Sequence, residues 1–354
     1  MSGVLKLPQN ARICILRLSA IGDVCHAAAM VNRIRNARPD IRITWIIGKI
    51  EYQLLNGMDG VEFVIYDKKT GRKGMQAIRQ QFKAQRFDVL CVMQIALRAN
   101  LLSRAIRAKV RLGFDKSRSK EGHSLFINKR IARQQHPHVL EGFMAFADAM
   151  GIAPVEKPAW QLPLSESDLA KGITLKQQYG RYAVICPAAS MAERNWTAEG
   201  YAAAAQHLTD KNIPVLLCGG PGPLDRTIGD AIQAAGAPIK DDLIGKTTLK
   251  ELAGVLAEAS LVIAPDTGPA HMATAVNTPV IGLYAHSNPR RTGPYNNLTD
   301  VVSVYDHCIE QQTGKPWQAL PWGKRAKGED LMAMIGVEQV NTAIDTLLNR
   351  LEGG

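Results

Sequence analysis

The sequence predicts an α/β protein of two doubly wound domains, and three observations carry that expectation. Short β-branched apolar runs alternate with segments of helical period along most of the chain, the pattern of mostly parallel sheets covered by helices on both faces. The alternation breaks at residues 151–165, where Pro154, Pro158 and Pro163 leave little periodicity and mark a linker. With 354 residues and 46% apolar side chains, the chain is long enough for two cores of ordinary size.

Taken in order, the first half predicts strands at residues 12–18, 43–47, 62–66, 87–93 and 109–113. Helical patterns near 23–37, 74–85, 97–107 and 137–150 alternate with them. After the linker the pattern restarts with strands at 182–186, 213–218, 260–264 and 279–283, and helices near 197–210, 224–235, 248–257 and 269–276. A polar stretch from about 285 to 335 has few strand signals, and a last helical pattern covers 337–351. The expected division is a first domain over 1–160, a second over 161–335, and a terminal helix over 336–354 that packs back on the first domain. The active site is expected in a cleft between the two domains.

Composition narrows the function classes. No stretch approaches the roughly 18 uninterrupted apolar residues of a membrane span, and no charged-then-apolar signal opens the chain, so a cytosolic protein is expected. Cys14, Cys25, Cys91, Cys186, Cys218 and Cys308 are scattered without a C-x-x-C pair, which predicts reduced thiols rather than disulfides or zinc. The net charge of +11 is uneven: residues 1–150 hold 26 Lys and Arg against 11 Asp and Glu, whereas 151–354 hold 17 against 21. The basic half suits an anionic partner such as a phosphorylated substrate, an anionic membrane face or nucleic acid. Solvated helix faces are the plain alternative, and Arg104, Arg107, Lys109 and Arg111 fit it. No aromatic-rich basic stripe or nucleic-acid motif accompanies the charge, so nucleic acid is the remote alternative.

Two strand-to-helix junctions carry the chemistry. At residues 259–271 an apolar run ends in Asp266, Thr267 and Gly268 and feeds a helix bearing His271 about one turn in. Unpaired N–H groups and the helix dipole make such a junction an anion site; capping of the helix by Asp266 or Thr267 is the plain alternative. At residues 12–30 the run ending at Leu18 breaks at Ser19 to Gly22, and a helix starts near Asp23. Asp23 thus stands at the mouth of a strand-loop-helix unit, where ligands bind in open α/β sheets. It is the best-placed general base; His26 is an alternative base that packing in the core would equally explain.

The second half offers two more strand ends for a nucleotide. One carries Pro187 to Ser190, followed by Arg194, Asn195 and Trp196; the other carries Gly219, Gly220, Pro221, Gly222 and Pro223, with Asp225 placed to hold ribose hydroxyls. Neither a G-x-G-x-x-G fingerprint nor a G-x-x-x-x-G-K-[ST] loop is present, and no D-x-D pair offers a divalent ion a site. A leaving diphosphate would then be stabilised by the helix dipole, Thr267, Gly268 and Arg194. In the first half Lys68, Lys69, Arg72 and Lys73, then Arg98, then Lys116, Arg118 and Lys120 fall in three loops able to hold several carboxylates or phosphates.

The segments S-A-I-G-D-V-C-H at 19–26, P-A-A-S at 187–190 followed by E-R-N-W-T at 193–197, G-G-P at 219–221 and D-T-G-P-A-H at 266–271 resemble glycosyltransferase family nine, the ADP-heptose:lipopolysaccharide heptosyltransferases. The resemblance runs from about residue 11 to 300. It implies a GT-B fold of two Rossmann-like domains, with the donor ADP-heptose bound by the second and a phosphorylated Kdo-lipid A acceptor by the first. It also implies an inverting transfer that needs no metal or other cofactor, with Asp23 as general base, on the cytosolic face of the inner membrane. Asp266, Thr267, Gly268 and His271 match the donor-phosphate motif, and Ser190 and Arg194 fall where a hydroxyl and a basic residue meet the diphosphate. Ser19, Lys68, Lys69, Arg72, Lys73, Arg98 and Lys120 match acceptor regions. Segment 116–128 is most similar to enzymes that add the first heptose to Kdo; transfer of a later heptose, or of another nucleotide sugar, is the alternative. Ala189 stands where such enzymes often carry a second hydroxyl, and Pro223 where a glutamate often follows G-G.

Overall fold

The computed structural model describes residues 3–328 and 330–353. The chain divides into two compact units, Met1–Pro163 and Leu164–Gly354. In the first, six strands (β1 Arg12–Leu16, β2 Arg42–Gly48, β3 Val61–Tyr66, β4 Phe87–Val92, β5 Ala108–Gly113, β6 Lys129–Arg130) alternate with five helices. These are α1 Ile21–Ala37, α2 Lys49–Leu55, α3 Gly71–Gln81, α4 Leu97–Ser103 and α5 Val139–Ala149. In the second, the strands are β7 Ala183–Ile185, β8 Val215–Leu217, β9 Ile239–Asp242, β10 Leu261–Pro265, β11 Val280–Tyr284 and β12 Val302–Ser303. Its helices are α6 Glu166–Tyr179, α7 Ala198–Asp210, α8 Pro223–Ala234, α9 Leu249–Glu258, α10 Gly268–Ala275, α11 Pro289–Thr292, α12 Tyr305–Thr313 and α13 Val337–Glu352.

Both sheets are parallel and share one strand order. The first runs β3-β2-β1-β4-β5-β6 and the second β12-β11-β10-β7-β8-β9, so each reads 3-2-1-4-5-6 in its own chain order. That order reverses direction between β1 and β4, and between β7 and β10, creating a crevice at the carboxyl end of each central pair. The central strands are the deepest parts of each unit: Ile13, Cys14, Ile15 and Leu16 are fully buried, as are Ala183, Val184 and Ile185. No helix among the described residues is long and apolar enough to cross a membrane.

Several elements lie outside the sequence expectation, for identifiable reasons. The edge strands β6, β9 and β12 were not anticipated: β6 is Lys129–Arg130 and β9 carries Lys240, Asp241 and Asp242. Charges of this kind protect a sheet edge and remove the apolar run that betrays a strand. Helix α6 follows the linker directly. Ser165 accepts from the Asp168 N–H, while the Asp168 carboxylate accepts from the Ser165 N–H at 2.8 Å, a capping box. Its contact with α9 is made through backbone rather than an apolar stripe, since a Cβ on Gly172 would sit 2.2 Å from the Gly254 carbonyl oxygen.

The terminal helix packs within the second unit: α13 buries Val340, Ile344, Leu347 and Leu348 in the core formed by Tyr201 and Leu208 of α7 and Leu283 of β11. Asp345 takes His207 at 2.8 Å and Lys211 at 2.9 Å, and Arg350 reaches the buried Asp300 at 2.7 Å. The unit boundary falls after Pro163, three residues beyond the expected one.

Candidate active site

In the first unit β1 ends at Leu16, and Arg17 to Ala20 carry the chain over the carboxyl edge of the sheet into α1. Leu18 donates its N–H to Gln94 Oε1 at 2.7 Å, and Gln94 Nε2 faces the Ser19 hydroxyl at 3.4 Å. The loop is thereby tied to the end of β4, across the switch in strand order. Asp23 sits in the first turn of α1 with its carboxylate 33% exposed and in close ion pairing with Arg17. A contact of 3.4 Å from the Ala20 N–H is all it gives to capping. Arg17 is only 11% exposed; it donates to the Met93 carbonyl at 2.7 Å and stacks on Phe143 with its guanidinium carbon 5.3 Å from the ring centre. The cation is therefore held behind the carboxylate. His26, the alternative base, is 2% exposed and packs edge-on to His138, which removes it from the mouth of the unit.

Three loops bearing basic residues converge at the carboxyl edge of the same sheet. Arg98, at the start of α4, donates to the Lys68 carbonyl at 3.2 Å, and Glu121 accepts from the Leu97 N–H at 2.6 Å. The strand ends thus bring Lys68, Arg98 and Lys120 to one rim. Lys69, Arg72, Lys73, Arg98 and Lys120 are exposed. Lys68 lies 4.0 Å from the buried Glu51, and Arg118 is committed to Asp115 at 2.6 Å. Arg111 departs from the solvated face expected of it: it bonds Phe126, Ile106 and Ser103, and burial lowers its pKa.

The second unit gathers its predicted residues at the switch between β7 and β10. Asp266 follows β10 and is 10% exposed at its side chain. Arg194 donates to its carbonyl at 3.1 Å and lies 3.5 Å from its carboxylate; His271 Nε2 is 3.8 Å away, and the Thr292 hydroxyl donates at 3.3 Å. Burial pushes the Asp266 carboxyl up, but His271, Arg194 and Ser287 outweigh it and hold it down at about 2. Asp266 is thus a buried anion that aims an arginine and a histidine. No side chain caps α10, so the capping alternative is excluded. The Thr267 hydroxyl donates to the Ala188 carbonyl at 3.1 Å, and Asn195 accepts from the Ala189 N–H at 2.7 Å. Both contacts brace the 187–195 loop beside the start of α10, leaving Ser190 exposed on it.

The glycine-rich end of β8 closes differently from its sequence reading. Asp225 turns inward and accepts from the Gly220 N–H at 2.8 Å, and a Cβ on Gly219 would meet that same oxygen at 2.8 Å. Gly219 and Gly220 are therefore needed for the turn, and one oxygen of Asp225 is already occupied. Pro223 opens α8, where its missing N–H costs nothing. Two site residues escaped sequence reasoning. Arg17 was absorbed into the apolar run, where a lone cation before the loop was the available signal. His286 lay at the start of the polar stretch, yet it stands two residues past the end of β11, the strand beside β10.

Solved structures share this architecture. A glycosyl transferase family 9 protein from Veillonella parvula superposes with a TM-score of 0.80 at 20% identity, covering 98% of this chain and 100% of that one. The E. coli heptosyltransferase WaaC with ADP gives 0.73 at 22% identity, covering 95% and 99%. Two Rossmann-ordered parallel sheets with these neighbours define the GT-B fold. In sequence, the lipopolysaccharide core heptosyltransferase OpsX of Haemophilus influenzae is 45% identical over 328 residues, 93% of this chain and 94% of that protein. The profile of glycosyltransferase family 9 (heptosyltransferase) matches residues 75–319, and the chain belongs to that family.

Proposed function

We propose that this protein transfers L-glycero-D-manno-heptose from ADP-heptose to the Kdo of the lipopolysaccharide inner core, adding the first heptose with inversion. The observation that carries this reading is the pair of strand-end sites. One presents a carboxylate backed by a buried cation, and the other presents a cation and a helix N-terminus backed by a buried carboxylate. Asp23 takes the proton of an acceptor hydroxyl as that oxygen attacks the anomeric carbon. The sugar-phosphate bond breaks, and ADP leaves toward Arg194, His271 and the start of α10, with Ser190 beside it. Asp225 and the turn at Gly219 and Gly220 serve the nucleoside.

On this reading the charge of the leaving group is met by protein cations and N–H groups, so transfer proceeds in the presence of a chelator. Ser19, Lys68, Lys69, Arg72, Lys73, Arg98 and Lys120 meet the phosphorylated acceptor, and the same rim rests against the anionic cytosolic membrane face. The name and 45% identity of the Haemophilus relative support a lipopolysaccharide core acceptor. The deciding experiment is incubation with ADP-heptose and acceptors truncated at defined sugars, followed by the product's mass. A gain of one heptose on Kdo alone is expected. Transfer only to an acceptor already bearing heptose would assign a later step, and release of a different nucleotide would overturn the donor.

A further inference from the structure

Beyond the residues of the family motifs, a buried histidine lies past the end of β11, the fifth strand of the second unit. After β11, Ala285, His286, Ser287 and Asn288 lead into α11, whose start Asn288 caps by accepting from the Arg290 N–H at 3.1 Å. His286 is 5% exposed, and its carbonyl is fixed by the Ala326 N–H at 3.0 Å. Neither ring nitrogen reaches hydrogen-bond geometry with a partner among the described residues, and the buried Arg194 Nε is likewise without one. An unpaired buried polar group is costly. Two of them, on neighbouring cationic or potentially cationic side chains beside an uncapped helix start, share one remedy: an anion.

The charges around the ring point the same way. Burial, then Arg194 and Arg325, push the His286 pKa below its usual value, against weaker opposition from Glu193 and the Ala326 backbone. Burial first, and the two arginines after it, favour the neutral imidazole, and a diphosphate would neutralise the arginines.

We propose that His286 is a further ligand of the donor's diphosphate, its imidazole joining Arg194 and the N-terminus of α10 around the anion. This rests on the donor-site reading of the second unit. When the diphosphate is seated, the repulsion from Arg194 and Arg325 is offset and the ring takes a proton, which it donates as a charge-assisted hydrogen bond. Donor and ADP binding therefore take up protons, and ADP affinity rises as pH falls through the neutral range.

Calorimetry of ADP binding to the full-length protein near neutral pH, in buffers of differing ionisation enthalpy, tests this directly. Wild type should show net proton uptake, and His286→Gln should lose it; the comparison cancels protons carried by the ligand itself. His286→Ala should weaken ADP about tenfold, with His286→Gln recovering part of that through its neutral N–H. Adenosine, which lacks the diphosphate, should bind with no uptake. Proton uptake no greater in wild type than in His286→Gln overturns the role of His286 while leaving the donor site standing. A wild type that transfers no heptose and binds no ADP overturns the donor-site reading and this inference with it.

Discussion

Asp23, in the first turn of α1, and Asp266, directly after β10, each lie beside the switch in strand order of their unit, and each is paired with an arginine. Their exposures differ in sense. In the first unit the carboxylate is 33% exposed and its arginine 11%; in the second the carboxylate is 10% exposed and its arginine 16%. One fold thus builds two opposite tools from one ion pair, by choosing which partner is buried. Burying the cation behind Asp23, held by the Met93 carbonyl and the face of Phe143, leaves an oriented carboxylate at the mouth of the unit. Burying the anion at Asp266 fixes Arg194 and His271 beside the start of α10.

The sharpest way to break this contrast is to remove the outward carboxylate. Asp23→Ala is expected to lower turnover about 10³-fold, the usual range for a positioned base, with ADP affinity unchanged by calorimetry. Normal turnover would show that the exposed carboxylate is not the base. Removing the cation behind it comes next. Arg17→Met keeps much of the packing against Phe143 but frees Asp23 to rotate, and a fall in kcat of roughly 10- to 100-fold, for a lost orienting contact, is expected at preserved ADP affinity. A variant that instead weakens ADP and leaves kcat alone would place Arg17 on the donor side.

How much of this was legible beforehand follows from what each feature depends on. The junctions at Asp23 and Asp266 were readable because an apolar run, small residues and a helix start are local patterns. The opposed burial of the ion pairs was not, because Arg17 meets Met93 and Phe143, and Arg194 meets Asp266, only once distant strands are paired. Helix α6 was missed although Ser165 and Asp168 spell its cap, since it packs through Gly172 and Gly254 and shows no wide apolar stripe. The destination of α13 was unreadable for a related reason: its apolar face announces burial but not the surface it covers.

Asp266→Asn probes the inverted pair through stability. The folded carboxyl is held from 3.8 down to about 2, so its ionised form stabilises the protein above about pH 4, and that contribution is lost as pH falls toward 2. The shift corresponds to about 2 kcal/mol at neutral pH. Denaturant midpoints should therefore separate wild type from Asp266→Asn most at pH 7 and converge under acid. A separation that stays constant with pH would mean that Asp266 is neutral in the folded protein, and the buried anion behind Arg194 would be lost from the comparison.

The smallest effect is expected at Thr267, whose hydroxyl donates to the Ala188 carbonyl at 3.1 Å and so is committed to the fold before any ligand arrives. Thr267→Val keeps the shape and removes one hydrogen bond, worth about 1 kcal/mol, between the start of α10 and the loop carrying Ser190 and Arg194. The loss should appear in the denaturant midpoint, with ADP binding weakened only a few-fold as the loop relaxes. Thr267→Ser should restore both, because it keeps the donor. If Thr267→Val leaves stability untouched and weakens ADP by tenfold or more, the hydroxyl serves the phosphate directly. The second site would then offer a side-chain donor at the helix start in addition to the arginine and histidine aimed by Asp266.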